Sequence, residues 1–495
     1  MFARLRETAQ HTLVFGIGGG LQQAASYLLL PVYTRHLTPA DYGVLNLLLV
    51  AGSLLSSISA TPVGAALFRS YYDYEAERGR SLVVSTALFL VLSISGVLLL
   101  IGIVFSRPLS VLLTGDPQYA TLAVLVLLSS TLTSVRAVTL AVFRAQKWAG
   151  RYVIVSAGSL LVSLGATIYL VVFRHLYIAG VVLGSLAGTI VSASVSLWLI
   201  RHHIRLSISR LEVRKMLRYG LPLVPENLAG FGFNSADRLV IQAFLGPSAV
   251  GLYALGRRFG QIVRVLVIQP YSLAEAPAIL SAERDSRAKE FYARLLTYYL
   301  LVTAFVSVAI SLLAEDALRI ISDQAYWGAA TIVPWLCLAS VLYGMRNLIG
   351  VGLGLKRRTY WFPIALGAGA LVYWPLMMVS VPTMGIGGAA VSLVIAYCIM
   401  CVVRYFAGQR VYPMRFETAR LVKLLAASCA TLLLGNAIVM DLVWLSLVLK
   451  GTVVILGMPA VLLGLRFVDK TETEYLRRVG SYLREVTVRK GAISR

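Results

Sequence analysis

The chain has 495 residues, 58% of them hydrophobic and only 14% charged, whereas a soluble chain of that length carries about 25% charge and divides into several domains. The apolar residues fall in runs of roughly 18 to 25, long enough to cross a hydrocarbon core about 30 Å thick, and the runs recur almost end to end, which leaves no place for a soluble domain. A formal charge of +23 would suit nucleic acid in a soluble protein, but here the cations sit in short loops mostly on one side of the runs, so they report membrane topology and no nucleic-acid partner.

Taken in chain order, the apolar runs predict helices near 12–34, 42–68, 81–105, 120–142, 152–173 and 177–200. Arg4 and Arg6 precede the first run as in a signal peptide, but that run is long and lacks a small-residue cleavage site, so it reads as a retained helix. After a basic linker the runs resume near 220–244, 250–277, 294–314, 329–354, 360–380 and 386–407, and two more follow near 421–439 and 442–466. The expected fold is an all-α integral membrane protein with about 14 transmembrane helices.

The loops set the orientation. With the N-terminus in the cytoplasm, the inner segments and the tail, with Arg466 at its edge, hold 34 of the 45 Lys and Arg, while the outer loops hold only Arg35, Arg107, Arg174 and Arg319. The positive-inside rule then places both termini in the cytoplasm. The same asymmetry checks the helix count, because one missed helix would invert every later loop.

The chain repeats itself. Leu37-Thr38-Pro39-Ala40-Asp41-Tyr42-Gly43-Val44 is echoed 208 residues later by Leu245-Gly246-Pro247-Ser248-Ala249-Val250-Gly251-Leu252, with Leu, Pro and Gly in register. Ile178-Ala179-Gly180 and Ile386-Gly387-Gly388 align at the same offset. Six helices separate equivalent points, and an even number returns the chain to the same side. Two parallel six-helix repeats follow, related by an axis along the membrane normal. The expected organisation is an N-lobe over 1–200, a basic cytoplasmic linker over 201–219, a C-lobe over 220–407, two appended helices over 408–466 and a basic tail over 467–495. The linker reads as an amphipathic segment on the inner leaflet. In the tail, Tyr475, Leu476, Val479, Tyr482, Leu483 and Val486 recur at helical spacing among cations, which fits an in-plane helix as well as a solvated tail.

Charges inside apolar runs are costly and mark candidate function. Seven are cations: Arg136, Arg238, Arg257, Arg258, Arg264, Arg346 and Lys450. Three are acids: Glu226, Asp237 and Glu275. The positive excess favours an anionic ligand over a lipophilic cation, and guanidinium matches phosphate through paired donors on a rigid fork. Around a hairpin loop at 245–250, Asp237 is expected opposite Arg258 and Arg238 opposite Arg257, each roughly 11–13 Å from the outer helix end. Asp237 would neutralise one of these arginines, either as part of a structural ion-pair cluster or as the tuner of a cationic site. Arg136 and Arg346 stand at nearly the repeat offset, about 11 Å from the inner helix ends. They either receive a diphosphate in a central cleft or snorkel to the inner headgroups. Arg264 falls near the midplane, between these two sets. Lys450 pairs locally or faces lipid. Glu226 and Glu275 are candidates for H+ or Na+ coupling.

Other motifs are weaker. Cys337, Cys398, Cys401 and Cys429 all lie in apolar runs, so the C-x-x-C of Cys398 and Cys401 reads as buried small side chains. The five histidines lie at helix ends, and no metal or cofactor is expected. Gly16, Gly18, Gly19 and Gly20 lack the strand and lysine of a phosphate loop and suit close helix packing. Pro222, Pro225, Gly230 and Gly232 predict a bent seventh helix.

Two stretches carry a family resemblance: GGGLQQAASYLLLPVYTRHLTPADYGVLNLLL near the start and NSADRLVIQAFLGPSAVGLYALGRRFGQIV around the seventh helix. Both resemble the polysaccharide-type flippases of the multidrug/oligosaccharidyl-lipid/polysaccharide exporter superfamily. The resemblance implies a V-shaped pair of six-helix lobes in the bacterial inner membrane, not an enzyme. It implies alternating access that carries an undecaprenyl-diphosphate-linked oligosaccharide to the outer leaflet for O-antigen, capsule or exopolysaccharide synthesis, often with an ion gradient as driver. A polymerase and chain-length regulator complex would be the partner. The family's cleft cations engage the anionic substrate, and here that role falls by character to Arg136, Arg238, Arg257, Arg258, Arg264 and Arg346. The first helix carries Gln22 and Gln23 and lacks the charged residues of the similar lipid II flippases. Three readings compete: a multidrug exporter of the same superfamily, disfavoured by the cationic interior; an integral-membrane glycan polymerase or ligase, for which the longest outer loop, 315–328, is too small a platform; and a scaffold, which leaves the intramembrane arginines unexplained.

Overall fold

A computed structural model describes residues 27–467 except 206 and 284, and omits the side chains of 273, 276 and 277. Most of the helix expected over 12–34, with its glycines and Gln22 and Gln23, lies outside the described residues, as does the tail from 468 onward. Among the described residues, every regular element is helical.

Twelve of these helices are long and apolar enough to cross a membrane. One, Leu223–Ser272, spans 50 residues and is two antiparallel arms. Gly246 interrupts it at φ 77 and ψ −179. Side chains at 237 and 257 touch, although a straight helix would hold them about 30 Å apart. Counted twice, this segment brings the described crossings to thirteen. A φ of 77 suits glycine, and Pro247 follows as a natural first helical residue.

Helix ends follow local chemistry. Thr38 caps the Pro39–Tyr71 helix: its side chain accepts from the Asp41 backbone N–H, and Asp41 reaches back to the Thr38 N–H at 3.1 Å. Ser106–Thr114, a short helix after Glu77–Val104, was not expected and ends at Gly115 with φ 83. The Ala288–Ile321 helix runs past residue 314, where the sequence suggests a loop. Charges at 315–319 prompt that reading, yet the helix absorbs them: Arg319 pairs with Glu315 at 2.6 Å, and Asp316 is buried against Lys450. The outer loop expected over 315–328 is therefore mostly helix.

The chain divides into two compact units. The first holds residues up to 258, 321–336 and 362–400. Its core packs Leu67, Val91, Val138, Phe143 and Ile200. Buried hydroxyls tie its helices: Ser59 to Ser134 at 3.0 Å, and Thr139 to Ser196 at 2.8 Å. The linker forms a helix over Arg210–Gly220 with Glu212, Met216 and Gly220 buried along one face. Glu212 accepts from Tyr74 Oη at 2.7 Å and Lys215 Nζ at 2.7 Å. The Glu212 carboxylate pushes the Tyr74 phenol and the Lys215 ammonium up, in each case first through its hydrogen bond.

The second unit holds 259–320, 337–361 and the residues from 401 on. The Val443–Thr452 helix is fixed to Ala288–Ile321 by Lys450 Nζ and Ser446 Oγ, which donate to Asp316 Oδ2 at 2.7 and 2.9 Å. Lys450 therefore has a buried partner and does not face lipid.

Candidate functional site

In the first unit the repeat motif builds a crossing. A Cβ on Gly43 would lie 1.8 Å from the Pro247 carbonyl oxygen, and one on Gly251 would lie 1.9 Å from the Pro39 oxygen. The four residues are equivalent in pairs at the repeat offset, so the starts of two repeat-related helices meet about a local two-fold. Only glycine lets the backbones come this close. Buried tyrosines gather beside the crossing: Tyr42 lies 6.2 Å from Tyr33 and 6.3 Å from Tyr326, ring to ring. Tyr326 Oη donates to the Leu37 carbonyl at 2.9 Å.

Asp237 lies at the end of a π-helical turn, Gly232–Ala236, within the same unit. Its carboxylate is fully buried and pairs with Arg257. The sequence suggests Arg258 as its opposite number. The partner on the second arm is one residue earlier, Arg257. Tyr253 Oη donates to Asp237 Oδ2 at 2.8 Å and accepts from Arg257 Nη1 at 3.1 Å. Arg257 Nη2 donates to the Phe233 carbonyl at 2.8 Å, an oxygen on the π turn. Phe233 in turn stacks on Tyr373 at 5.1 Å. Asp237 is thus satisfied by Arg257 and Tyr253, while Arg238 and Arg258 lie near enough to act electrostatically on one another. Arg258 sits among the phenols of Tyr27, Tyr33 and Tyr42, and the Arg238 Nε is buried without a hydrogen-bond partner among the described residues. Arg136 stands apart, half-buried on Ala120–Ala145 with Tyr152 as an electrostatic neighbour.

A second set of cations gathers in the second unit. Arg264 opens another π-helical turn, Arg264–Ile268. Its guanidinium stacks on the Tyr343 ring at 4.1 Å, and Arg346 stacks on the same ring at 4.2 Å. Arg404 Nη1 donates to the Arg346 carbonyl at 3.1 Å and to Asn347 Oδ1 at 3.2 Å. The sequence marks Arg264 and Arg346 but not Tyr343 or Arg404. Tyr343 had a signal, three residues before Arg346 on one helix face. Arg404 did not, because it opens the cation-bearing stretch 404–423, which reads as a loop between crossings.

Of the two acids proposed for ion coupling, Glu226 is exposed in the first turn of Leu223–Phe231. Glu275 is half-buried, with Tyr271 and Tyr299 as electrostatic neighbours. Among the described residues, no group of three or more His, Cys, Asp or Glu side chains forms a metal site.

The backbone is similar to that of the lipid II flippase MurJ in an inward closed conformation, with a TM-score of 0.72 and 14% identity over 91% of this chain and 98% of that one. It is also similar to an inward-facing multidrug resistance transporter of the MATE family in the MOP superfamily, with a TM-score of 0.59 and 15% identity over 78% and 94%. A MOP superfamily transporter from Pyrococcus furiosus, described as having a binding pocket of reversed polarity, matches with a TM-score of 0.53 and 17% identity over 82% and 95%. The fold is that of the MOP transporters. Residues 8–283 match the polysaccharide biosynthesis protein family, and the chain belongs to that family. A comparison with curated protein sequences finds no match.

Proposed function

We propose that the protein is a flippase that carries an undecaprenyl-diphosphate-linked oligosaccharide from the cytoplasmic to the outer leaflet by alternating access, for O-antigen, capsule or exopolysaccharide synthesis. The observation that carries this reading is the charge count around Asp237. Three arginines and one carboxylate share a patch of apolar helix, and Arg257 already satisfies the carboxylate. The surplus on Arg238 and Arg258 suits a diphosphate and repels the lipophilic cations of a multidrug exporter. Arg264, Arg346 and Arg404 supply a second cationic station, and Arg136 a third. Glu275, half-buried, is the better placed of the two acids for H+ or Na+ coupling. The protein works in the inner membrane with both termini in the cytoplasm, beside a polymerase and chain-length regulator.

The test is leaflet transfer of a fluorescent undecaprenyl-diphosphate oligosaccharide in proteoliposomes. Wild type is expected to transfer it. Arg238→Gln with Arg258→Gln, and Arg264→Gln with Arg346→Gln, each remove two charge-assisted contacts and should slow transfer by about tenfold or more. Well-folded double variants that transfer at the wild-type rate would remove the site assignment. A wild type that transfers no glycan lipid, with or without an ion gradient, would remove the flippase, and a covalent glycan product in that assay would replace it with a polymerase or ligase.

A further inference from the structure

A cavity of about 310 Å³ lies in the first unit, and none of the arginines around Asp237 lines it. It forms where the basic loop before Ala149–Ile168 meets the end of Tyr177–Ile200 and the short turn Arg201–His203. Trp148, Arg151, Trp198, Arg201, His202 and His203 line it. The volume falls in the range of small-molecule sites, about 300–1,000 Å³.

Its chemistry is built for an anion. The Arg151 guanidinium lies over the Trp148 ring at 4.1 Å, and Arg201 lies over Trp198 at 4.4 Å. A guanidinium held over an indole face by its charge keeps N–H donors for a phosphate. Neither arginine is paired with a carboxylate among the described residues. Arg201 Nε donates to His202 Nε2 at 3.2 Å, so the neutral His202 carries its proton on Nδ1 as a further donor. Trp148 also packs edge-on against His203 at 5.3 Å. His203 Nε2 faces Glu77 at 3.5 Å, and its Nδ1 is buried with no hydrogen-bond partner among the described residues. Glu77 is mostly exposed, so the two guanidiniums and the His202 N–H outweigh one screened acid.

The surroundings point to the source of the anion. Val191, Val195 and Trp198 are exposed at helical spacing along one neighbouring helix, and Ile154 and Leu161 along the other. These apolar stripes lead up to the cavity, and tryptophan prefers the headgroup level of a membrane. We infer that this cavity binds the phosphodiester headgroup of an anionic inner-leaflet phospholipid, with its acyl chains along the two stripes. The site is independent of the transport path proposed above.

Native mass spectrometry of the full chain, delipidated and titrated with phosphatidylglycerol or phosphatidylcholine of matched acyl chains, tests this. Wild type should retain one phosphatidylglycerol per chain, on the order of tenfold more tightly than phosphatidylcholine. Arg151→Gln with Arg201→Gln should abolish that preference. Arg214→Gln with Arg218→Gln, which removes equal charge from the linker helix, should keep it. Inorganic phosphate at the lipid concentration should leave the lipid bound. The inference falls if wild type holds both lipids alike, if both double variants lose the preference equally, or if phosphate displaces the lipid. The wild-type arms decide it even if a variant misfolds.

Discussion

Asp237 and Arg257 show what a charge inside an apolar helix needs. The carboxylate collects a guanidinium, a phenol and the Arg238 backbone N–H at 3.0 Å, which offsets the desolvation of both ions. Asp237→Asn leaves Arg257 buried with its positive charge uncompensated, and should destabilise the protein by about 3–5 kcal/mol. Thermal unfolding in detergent would read the loss, and Asp237→Asn with Arg257→Gln should recover part of it. Tyr343 presents a different case, because its ring holds two candidate substrate arginines at once. Tyr343→Phe keeps the aromatic face and should transfer glycan lipid within about twofold of wild type. Tyr343→Ala gives up two cation–π contacts of about 0.5–1 kcal/mol or more each, and should slow transfer by roughly tenfold. Equal rates in the two variants would show that the ring does not position Arg264 and Arg346. Sequence identified the charges because ions are rare in apolar runs. It suggested Asp237 as one partner and spaced Tyr343 on the helix face of Arg346, but showed no sign of Tyr253 or Phe233, ordinary aromatic residues whose role depends on which helix faces them.

Helices were the most legible level. A run of apolar residues bounded by cations fixes a crossing to within a few residues, and the ends at Tyr177 and Ile200 fall where the hydropathy places them. The pattern misleads where charge occurs within a helix, as at Asp316, because hydropathy cannot tell a paired ion from a loop. It also gives no sign of the π-helical turns at Gly232–Ala236 and Arg264–Ile268, each of which adjoins a cation cluster. The repeat motif was visible, but its packing was not. Gly43 and Gly251 matter because their backbones meet, and the starts of two helices cross there. Gly43→Val places a side chain against the Pro247 carbonyl, a backbone atom that cannot step aside. It should cost about 1–3 kcal/mol in stability and slow transfer by at least severalfold. Gly64→Val on the same helix meets nothing within 4 Å and serves as the control, with transfer and thermal unfolding as for wild type. If Gly43→Val behaved like Gly64→Val, the crossing would have no part in stability or transport.

Across the whole molecule, charge serves two purposes that composition alone cannot separate. Outside the interiors of the apolar runs, most of the 45 cations stand in loops and towards helix ends, and Arg151 and Arg201, over Trp148 and Trp198, line a cavity. Those within the apolar runs are half-buried or more, and Arg257, Arg258, Arg264 and Arg346 lie beside aromatic rings, where water and salt screen them less. This division predicts how transport responds to its cargo. If the interior arginines recognise a diphosphate, a lipid-linked oligosaccharide on a monophosphate loses half of its phosphate groups and the matching guanidinium contacts. Each charge-assisted hydrogen bond is worth about 1.5–3 kcal/mol, so the monophosphate lipid should move on the order of tenfold more slowly than its diphosphate counterpart with the same sugar. In the Arg238→Gln with Arg258→Gln variant the difference should shrink, because the groups that distinguish the two headgroups are gone. Raising the salt from low to physiological strength should change the ratio little, since the recognising charges are half-buried within apolar helices, whereas a ratio that collapsed with salt would assign discrimination to the exposed basic loops. Measured in one proteoliposome preparation, the two substrates and two salt levels separate recognition inside the membrane from attraction at its surface.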